Sequence, residues 1–534
     1  MRRKKKTDVR VEEVRKWFRK SVSYEGEPYI MDVEQVAAAM DESWNAIVVA
    51  RAGSGKTRTI VAKIVYLIAQ CGVKPEDIVA IVFNANAARE INERLTKMRV
   101  DGVSVMEENV KIATTFHAFA RKIVYDACGG REKCGKILAG EKEKFIENIV
   151  RGMVEDEMEE VEVVRLSGQM VQFVNRAQQK YLGGEVVLKD VVRAYLGNTE
   201  VDVRERKFVE LGLECYRRYH WYLLDADRKL EGFEEYGTDF NLIVSWASKL
   251  ILAERGKVRE WLAGKRYILI DEYQDFSQLF LAAVQAVREV AKDARLFVVG
   301  DDWQAINRFA GSEVEYFKNF EEHFTGECRR YEITTNYRCD REIVNVARKF
   351  MKRAMKEKGE FRAFSRRMGR VMLVEARRTK QEYLAILVKL VRENRKAKEI
   401  LLLHRNNDTH LKISLDGLKR ALRREVVKAG VMSEEDFDVK VRVMTMHKSK
   451  GLEAEVVIIL EADEGVIPKT HPDTRLYGVF GETEKVTMDD QKRLFYVAMT
   501  RAKKRLYIMH EKVKKRELEG FIPALGRGVE RWEE

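Results

Sequence analysis

Proline, cysteine and long apolar runs are all scarce in this chain, and each scarcity excludes something. Five prolines in 534 residues leave no Pro-rich linker, and neither a low-complexity segment nor an internal repeat is present. The six cysteines (Cys71, Cys128, Cys134, Cys215, Cys328, Cys339) include no C-x-x-C pair. A zinc ribbon or an iron–sulfur cluster needs thiolates grouped at short spacing, so neither is expected, and a reducing compartment is the natural setting. No stretch of about 18 apolar residues occurs, which excludes a membrane-spanning helix. The start, Met1–Lys6, is basic like the head of a secretion signal, yet Thr7–Lys20 is charged throughout and supplies no apolar stretch behind it. The expectation is a soluble cytoplasmic protein without membrane contact.

Charge, by contrast, is abundant. Charged residues make up 35 % of the chain, and 99 basic against 86 acidic side chains give a net charge of +13. An excess of that sign suits a polyanionic partner such as nucleic acid. Hydrophobic residues at 45 % are enough for a large core and argue against global disorder. The Arg2–Lys6 cluster reads as a frayed basic tail, part of an N-terminal segment over residues 1–27.

Apolar runs ending in Gly or Asp recur at Ala46–Ala50, Ile78–Phe83, Tyr267–Ile270 and Leu296–Gly300, then at Val371–Val374, Ile400–His404, Val441–Thr445 and Val456–Leu460. Helical patterns lie between most of them. Continuous β-branched runs of this length predict parallel strands buried on both faces, hence an α/β fold. The runs fall into two groups divided near Tyr331–Asp340, which predicts two α/β lobes. Between Arg121 and Arg266 amphipathic helices take over, at Glu141–Arg165, Gly168–Tyr181 and Lys207–Lys229, with breaks at Gly129-Gly130 and Gly183-Gly184. That block reads as a helical insertion into the first lobe. The domain expectation is a first lobe over 28–120 and 263–335, an insertion over 121–262, and a second lobe over 336–534.

The first run passes directly into Ala50-Arg-Ala-Gly-Ser-Gly-Lys-Thr57, followed by a helical pattern through Ile68. Small residues between a buried strand and a helix N-terminus let backbone N–H groups wrap phosphate oxygens, the arrangement of a P-loop. Ala52, Gly53, Ser54, Gly55, Lys56, Thr57 and Arg58 are the expected nucleotide contacts. Lys56 is expected at the β- and γ-phosphates, with the Thr57 hydroxyl on Mg²⁺. A P-loop holds phosphates without activating water, so a second element is required. Tyr267–Ile270 ends in Asp271-Glu272, and two carboxylates there divide the work: Asp271 for Mg²⁺, Glu272 for the attacking water. Hydrolysis also needs cations where transition-state charge develops, and Arg338 and Arg501 lie in the second group of strands, across a cleft.

Eight strings then appear in order: Ala50–Thr57, Ile81–Glu90, Thr114–Ala118, Asp271–Asp275, Val299–Gln304, Asn336–Arg338, Thr445–Glu453 and Tyr496–Ala502. Together they resemble the motif series of UvrD/Rep-type superfamily 1A DNA helicases, and Gly300–Phe309 is most similar to the helicase IV branch. The resemblance implies two RecA-like lobes with ATP between them. It implies that Gln35 reads adenine, Tyr337 stacks on it, Gln304 senses the γ-phosphate, Glu453 lies near the ribose, and Arg338 and Arg501 close on the γ-phosphate. On the DNA side it implies contacts from Phe83, Thr115, His117, Phe309, Thr445 and His447, with Phe309 as an aromatic platform for a base. Stacking on an aromatic face is worth about 1–3 kcal/mol and tolerates any base, which suits a motor moving along arbitrary sequence.

The chain also departs from that pattern. Ala50 stands for the first P-loop glycine, Arg51 replaces another family glycine, and Asn86 stands where lysine is common. Phe309 replaces the usual tryptophan, while Asn307 and Ala310 replace residues usually Tyr and Arg. Too few residues separate His404 from Val441 for the large helical domain that the best-known members insert there, so that domain is expected to be vestigial. The implied activity is an ATP-dependent single-stranded DNA translocase and helicase of 3′-to-5′ polarity, serving repair, recombination or replication at the nucleoid. The implied partners are single-stranded, tailed or forked DNA, with room for accessory loading or repair proteins and for RNA as a track. The rival readings are a translocase that displaces proteins with little unwinding, and a nucleotide-switched factor acting on RNA polymerase.

Overall fold

The β-branched runs become the central strands of two parallel sheets. The protein is seen here as a computed structural model that describes residues 2–128, 130, 141–154, 158–182, 184–228, 239–253, 256–356, 359–376, 379–469, 473–511, 520–526 and 528–533. In the first lobe β1 (Asn45–Ala50), β2 (Ile78–Val82), β3 (Ala113–Thr115), β4 (Tyr267–Ile270), β5 (Arg295–Gly300) and β6 (Cys328–Ile333) make one sheet in the order β6-β1-β5-β4-β2-β3. Every neighbouring pair is parallel. In the second lobe β7 (Arg370–Ala376), β8 (Ile400–His404), β9 (Val441–Thr445), β10 (Ala454–Ile459), β11 (Ala502–Glu511) and β12 (Glu530–Arg531) follow the order β9-β8-β10-β11-β7-β12, again all parallel. The fold is thus α/β with two RecA-like sheets.

Helices cover both faces of each sheet, which explains why the strands read as unbroken apolar runs. Along β1, Ala46, Val48 and Ala50 enter one hydrophobic cluster while Ile47 and Val49 enter the cluster on the opposite face. Burying one such Val or Ile side chain is worth roughly 1.5–3 kcal/mol, so each central strand is held from two sides. The second sheet is sandwiched in the same way. Among the described residues, no helix is long and apolar enough to cross a membrane.

The helical insertion has a core of its own. Its boundaries differ from the expected ones. Helix Glu141–Arg151 stops well before Arg165, and a single helix runs over Glu160–Lys180, straight through Gly168. The 203–228 helix crosses it at Gly212, where a Cβ would meet the Phe173 ring at 2.6 Å, so only glycine permits the approach. The expected breaks at Gly129 and Gly183 lie outside the described residues, as does the end of the expected Lys207–Lys229 helix.

The N-terminal segment is a helix over Arg2–Ser21 that includes the Arg2–Lys6 cluster, and its Val11 and Phe18 are buried in the first-lobe core. Apolar residues spaced seven apart within a charge-rich sequence give one narrow contact stripe, enough to seat the helix. Between β8 and β9 stand only two short helices, Leu415–Lys428 and Glu434–Lys440.

Candidate nucleotide site and nucleic-acid face

Functional side chains collect at the C-terminal ends of the first-lobe strands, where open α/β sheets bind their ligands. The loop after β1 turns at Gly53 (φ 66°) and Gly55 (φ 86°), left-handed backbone that an L side chain resists. A Cβ on Gly53 would press on Asn336 and Arg338, and one on Gly55 on the Gln35 amide. Lys56 opens the helix Lys56–Ala69 with Thr57 behind it. The Ser54 hydroxyl is buried and makes no hydrogen bond among the described residues. Small residues and left-handed turns make this loop a cradle.

Arg51, the departure from the family glycine, turns away from that cradle. Its Nη1 lies 2.9 Å from Asp301 and 2.6 Å from Asp302, and its guanidinium stacks 4.1 Å above the Trp303 ring. Burial pulls its pKa down, but the two carboxylates outweigh burial and hold it above the ordinary value. The side chain ties the P-loop to the end of β5 and leaves the phosphate space alone.

Asp271 and Glu272 leave the end of β4, and Glu272 adopts a left-handed backbone (φ 52°, ψ 40°) unusual for its residue type. Lys56 Nζ sits 3.4 Å from Glu272 Oε1, and the Gln274 amide donates to the other oxygen. Burial opposes ionisation of Glu272, yet Lys56 and Lys450 outweigh it and keep the carboxyl well below the usual range. Asp271 goes the other way, pushed up by burial and by the Glu272 carboxylate beside it. Three acids, Asp271, Glu272 and Asp275, share the two cations Lys56 and Lys450, which leaves negative charge over. A divalent cation would satisfy it, and the hard oxygens of Thr57 and Asp271 are donors of the kind Mg²⁺ prefers. The residues fit that ion.

From the second lobe, Arg501 is almost fully buried. Its Nε donates to Val497 O (3.0 Å), Nη1 to Leu452 O (3.2 Å) and Nη2 to Gln304 Oε1 (3.0 Å), so one edge of the guanidinium crosses the cleft. Burial, and then Arg338 nearby, brings its pKa down to about 9. Gln304 is itself held by Asp301, to which its amide donates at 2.6 Å. Arg338 pairs with Glu453 at 2.7 Å, and Glu453 pairs also with Lys503 at 2.6 Å.

Sequence reasoning passed over two cleft residues inside the strings it quoted. Lys450 Nζ reaches Asp275 at 2.5 Å and the Gln304 carbonyl at 3.2 Å. Trp303, a first-lobe residue, is buried in the second-lobe cluster against Phe361 and Tyr496. A Lys-to-acid pair between distant motifs and a large apolar residue beside a polar sensor were the available signals.

The residues expected at adenine are assembled around Asp32. Its side chain and Gln35 form a capping box on helix Val33–Ala39, and it accepts a hydrogen bond from the Tyr337 hydroxyl. Gln35 Nε2 donates to Ser54 O at 2.8 Å. Tyr337 remains 40 % exposed and rests against Phe364, which leaves ring surface for stacking. Arg58, one of the expected nucleotide contacts, lies 4.4 Å over the ring of Tyr29, and Tyr29 carried no signal in the sequence.

On the other side of the cleft, Phe309 is 49 % exposed and Phe83 is 44 % exposed, unusual for phenylalanine in a folded protein. His447 stands edge-on to Phe309 at 5.5 Å. Burial, with Arg405 and Lys450 close by, brings the His447 pKa down to about 4. Phe309, His447 and Arg405 line a cavity of about 550 Å³. Arg405, absent from the sequence reading, is largely buried and its Nε has no hydrogen bond among the described residues. Thr115 and Thr445 end β3 and β9, and the Thr115 hydroxyl caps the next helix through Ala118 N at 3.1 Å. His117 packs edge-on to Phe240 at 5.2 Å, and burial lowers its pKa.

The structure therefore gathers Gln35, Lys56, Asp271, Glu272, Gln304, Tyr337, Arg338, Glu453 and Arg501 around one interlobe cleft. Phe309 and His447 meet on the adjoining face, while His117 sits apart against the insertion.

Comparison with known proteins agrees with this geometry. Residues 31–325 match the family model of the UvrD/Rep helicase N-terminal domain, and residues 416–512 that of the UvrD-like helicase C-terminal domain. The chain is 24% identical over 515 residues to DNA helicase IV of Escherichia coli (strain K12), spanning 90% of this chain and 68% of that protein. It is 24% identical over 490 residues to a probable DNA helicase of Mycoplasma pneumoniae, spanning 90% and 83%. With ATP-dependent DNA helicase Rep of Salmonella typhimurium it shares 28% over 305 residues, spanning 56% and 40%. Since the N-terminal model alone takes in more than half of the residues, the chain belongs to the UvrD/Rep family of ATP-dependent DNA helicases.

Proposed function

We propose that the protein hydrolyses ATP in the interlobe cleft and uses the cycle to move 3′-to-5′ along single-stranded DNA, separating duplex ahead of it. The observation that carries this reading is the single hydrogen bond from Arg501 to Gln304, which joins a second-lobe cation to a first-lobe sensor beside Glu272. Lys56 exchanges Glu272 for phosphate oxygens, and the freed Glu272 carboxylate, already ionised, takes the proton of the attacking water. Thr57 and Asp271 would hold Mg²⁺, which would supply positive charge against the phosphates. Arg338 and Arg501 meet the charge that develops on the terminal phosphoryl group, so their engagement depends on cleft closure. Phe309 holds a base by stacking while Arg405 and the threonines at the strand ends meet phosphates.

The test is hydrolysis measured with single-stranded DNA, duplex DNA and RNA, beside unwinding of 3′- and 5′-tailed duplexes. Stimulation by single-stranded DNA and unwinding of the 3′-tailed substrate are expected; hydrolysis indifferent to DNA overturns the reading. One observation favours a narrower alternative. Residues 405–440 form two short helices where the best-known members carry a large domain, which suits a translocase that displaces bound proteins with little unwinding. Stimulated hydrolysis without strand separation selects it.

A further inference from the structure

Three parts of the chain line the cavity beside Phe309 and His447. The first lobe contributes Phe309 and Ile306, and the insertion contributes Arg165, Gly168 and Gln172 from one face of the 160–180 helix. The second lobe closes the circuit with the segment 473–482, which leaves its own lobe and docks in the insertion's core. Leu476, Tyr477, Val479 and Phe480 are buried there among Phe173 and Phe208. Polar contacts pin both ends of the segment. Asp473 takes Arg204 at 2.6 Å and the Gln169 amide at 2.9 Å, Val479 O and Phe480 O accept from Tyr181 and Lys180, and Glu482 pairs with Arg176.

We propose that this bridge makes the cavity a closed channel for one nucleic-acid strand, so that the strand is encircled by first lobe, insertion, bridge and second lobe. The inference rests on the reading of the protein as a strand translocase. The acids near the channel are already matched, Asp473 and Glu482 within the bridge and Asp490 by Arg493 at 2.9 Å. Arg165 and Arg405 then set the sign of the wall, which suits phosphate. Gly168 supports the same path. It lies mid-helix, where glycine is unfavourable, and a Cβ there would meet nothing within 4 Å. Packing does not ask for glycine; a strand passing close to the helix backbone does.

The consequence is topological. A strand with a free end threads the channel, whereas a covalently closed circle enters only when the bridge undocks from the insertion. The pair Arg204→Cys and Asp473→Cys, joined by a short bismaleimide with a reducible link, locks the bridge, and each single variant treated alike controls for the native thiols. Before cross-linking, linear and circular single-stranded DNA are expected to stimulate hydrolysis alike. After it, stimulation by the circle falls at least tenfold, stimulation by the linear strand stays within twofold, and reductant restores the circle. Equal stimulation of the locked protein by both DNAs overturns the proposal. A second variant, Gly168→Leu, fills open space without touching the nucleotide site. The concentration of linear strand giving half-maximal stimulation rises at least tenfold, and an unaltered concentration overturns the path along this helix. If linear DNA stimulates none of the uncross-linked proteins, the translocase reading fails and this inference falls with it.

Discussion

Single side chains decide the chemistry, and four of them can be tested one at a time. Glu272 is the acid of its pair whose carboxyl is held below the usual range, and Lys56 is the cation that does most of it. Glu272→Gln is expected to lower DNA-stimulated turnover on the order of 10²–10⁴-fold with nucleotide binding kept, whereas Lys56→Ala loses binding as well; phosphate release and equilibrium nucleotide titration separate the two. Arg51 makes a different case. Its side chain and that of Asp301 are both buried, so Arg51→Gly restores the residue usual in the family yet strands two carboxylates. A loss of about 3 kcal/mol in unfolding free energy is expected, with nucleotide affinity within a few-fold, since the side chain avoids the phosphate space. His447 gives a pH signature. Its folded pKa near 4 lies below the value of 6.5 for a free imidazole, so the unfolded chain takes up a proton that the folded one refuses. This contribution is intact above pH about 6.5 and is lost as pH falls toward 4. The fall in melting temperature over that window should be shallower in His447→Leu, and an equal slope in both proteins contradicts the assignment.

Secondary elements show how far sequence pattern reaches. Runs buried on both faces, such as Ile78–Val82 and Ile400–His404, were legible because two helical layers demand apolar residues at every position. β11 was not legible, although it is central in its sheet, because Lys503, Lys504 and Arg505 follow its buried first residue Ala502 and continuous burial begins only at Leu506. β6 escaped for the same reason: as an edge strand it keeps Arg329, Arg330 and Glu332 in solvent. The nucleotide site was legible since P-loop spacing and paired acids follow from phosphate chemistry, while Lys450, Trp303 and Arg405 are defined by partners far away in the chain. Glycine inside a helix illustrates the limit most sharply, because Gly168 and Gly212 look alike in sequence. At Gly168 a Cβ meets open space, and at Gly212 it meets the Phe173 ring. Gly168→Ala is therefore expected to raise stability by about 0.5–1 kcal/mol and Gly212→Ala to lower it by about 1–3 kcal/mol. Thermal unfolding of the two variants reads the opposite signs, and two shifts of one sign remove the distinction.

At the scale of the whole molecule the question is how a phosphate event in one lobe reaches the other. Trp303 is buried in the second-lobe core while Gln304, the next residue, faces Arg501 and Asp301. Sensing and coupling thus sit on consecutive residues of one short turn. Arg501 is positioned by its own lobe through Val497 O and Leu452 O, so only its Nη2 contact depends on the cleft. Removing the guanidinium leaves the P-loop untouched, and Arg501→Ala should keep nucleotide affinity within a few-fold while lowering turnover on the order of 10³-fold. Gln304→Ala leaves the cation but frees it from the first lobe, and a smaller loss, on the order of 10-fold, is expected. If the two side chains act as one device, the double variant is no slower than Arg501→Ala alone, because Gln304 has nothing left to orient. Multiplication of the two losses would mean that each residue meets the phosphate independently, and that the hydrogen bond across the cleft is a resting contact with no part in the stroke.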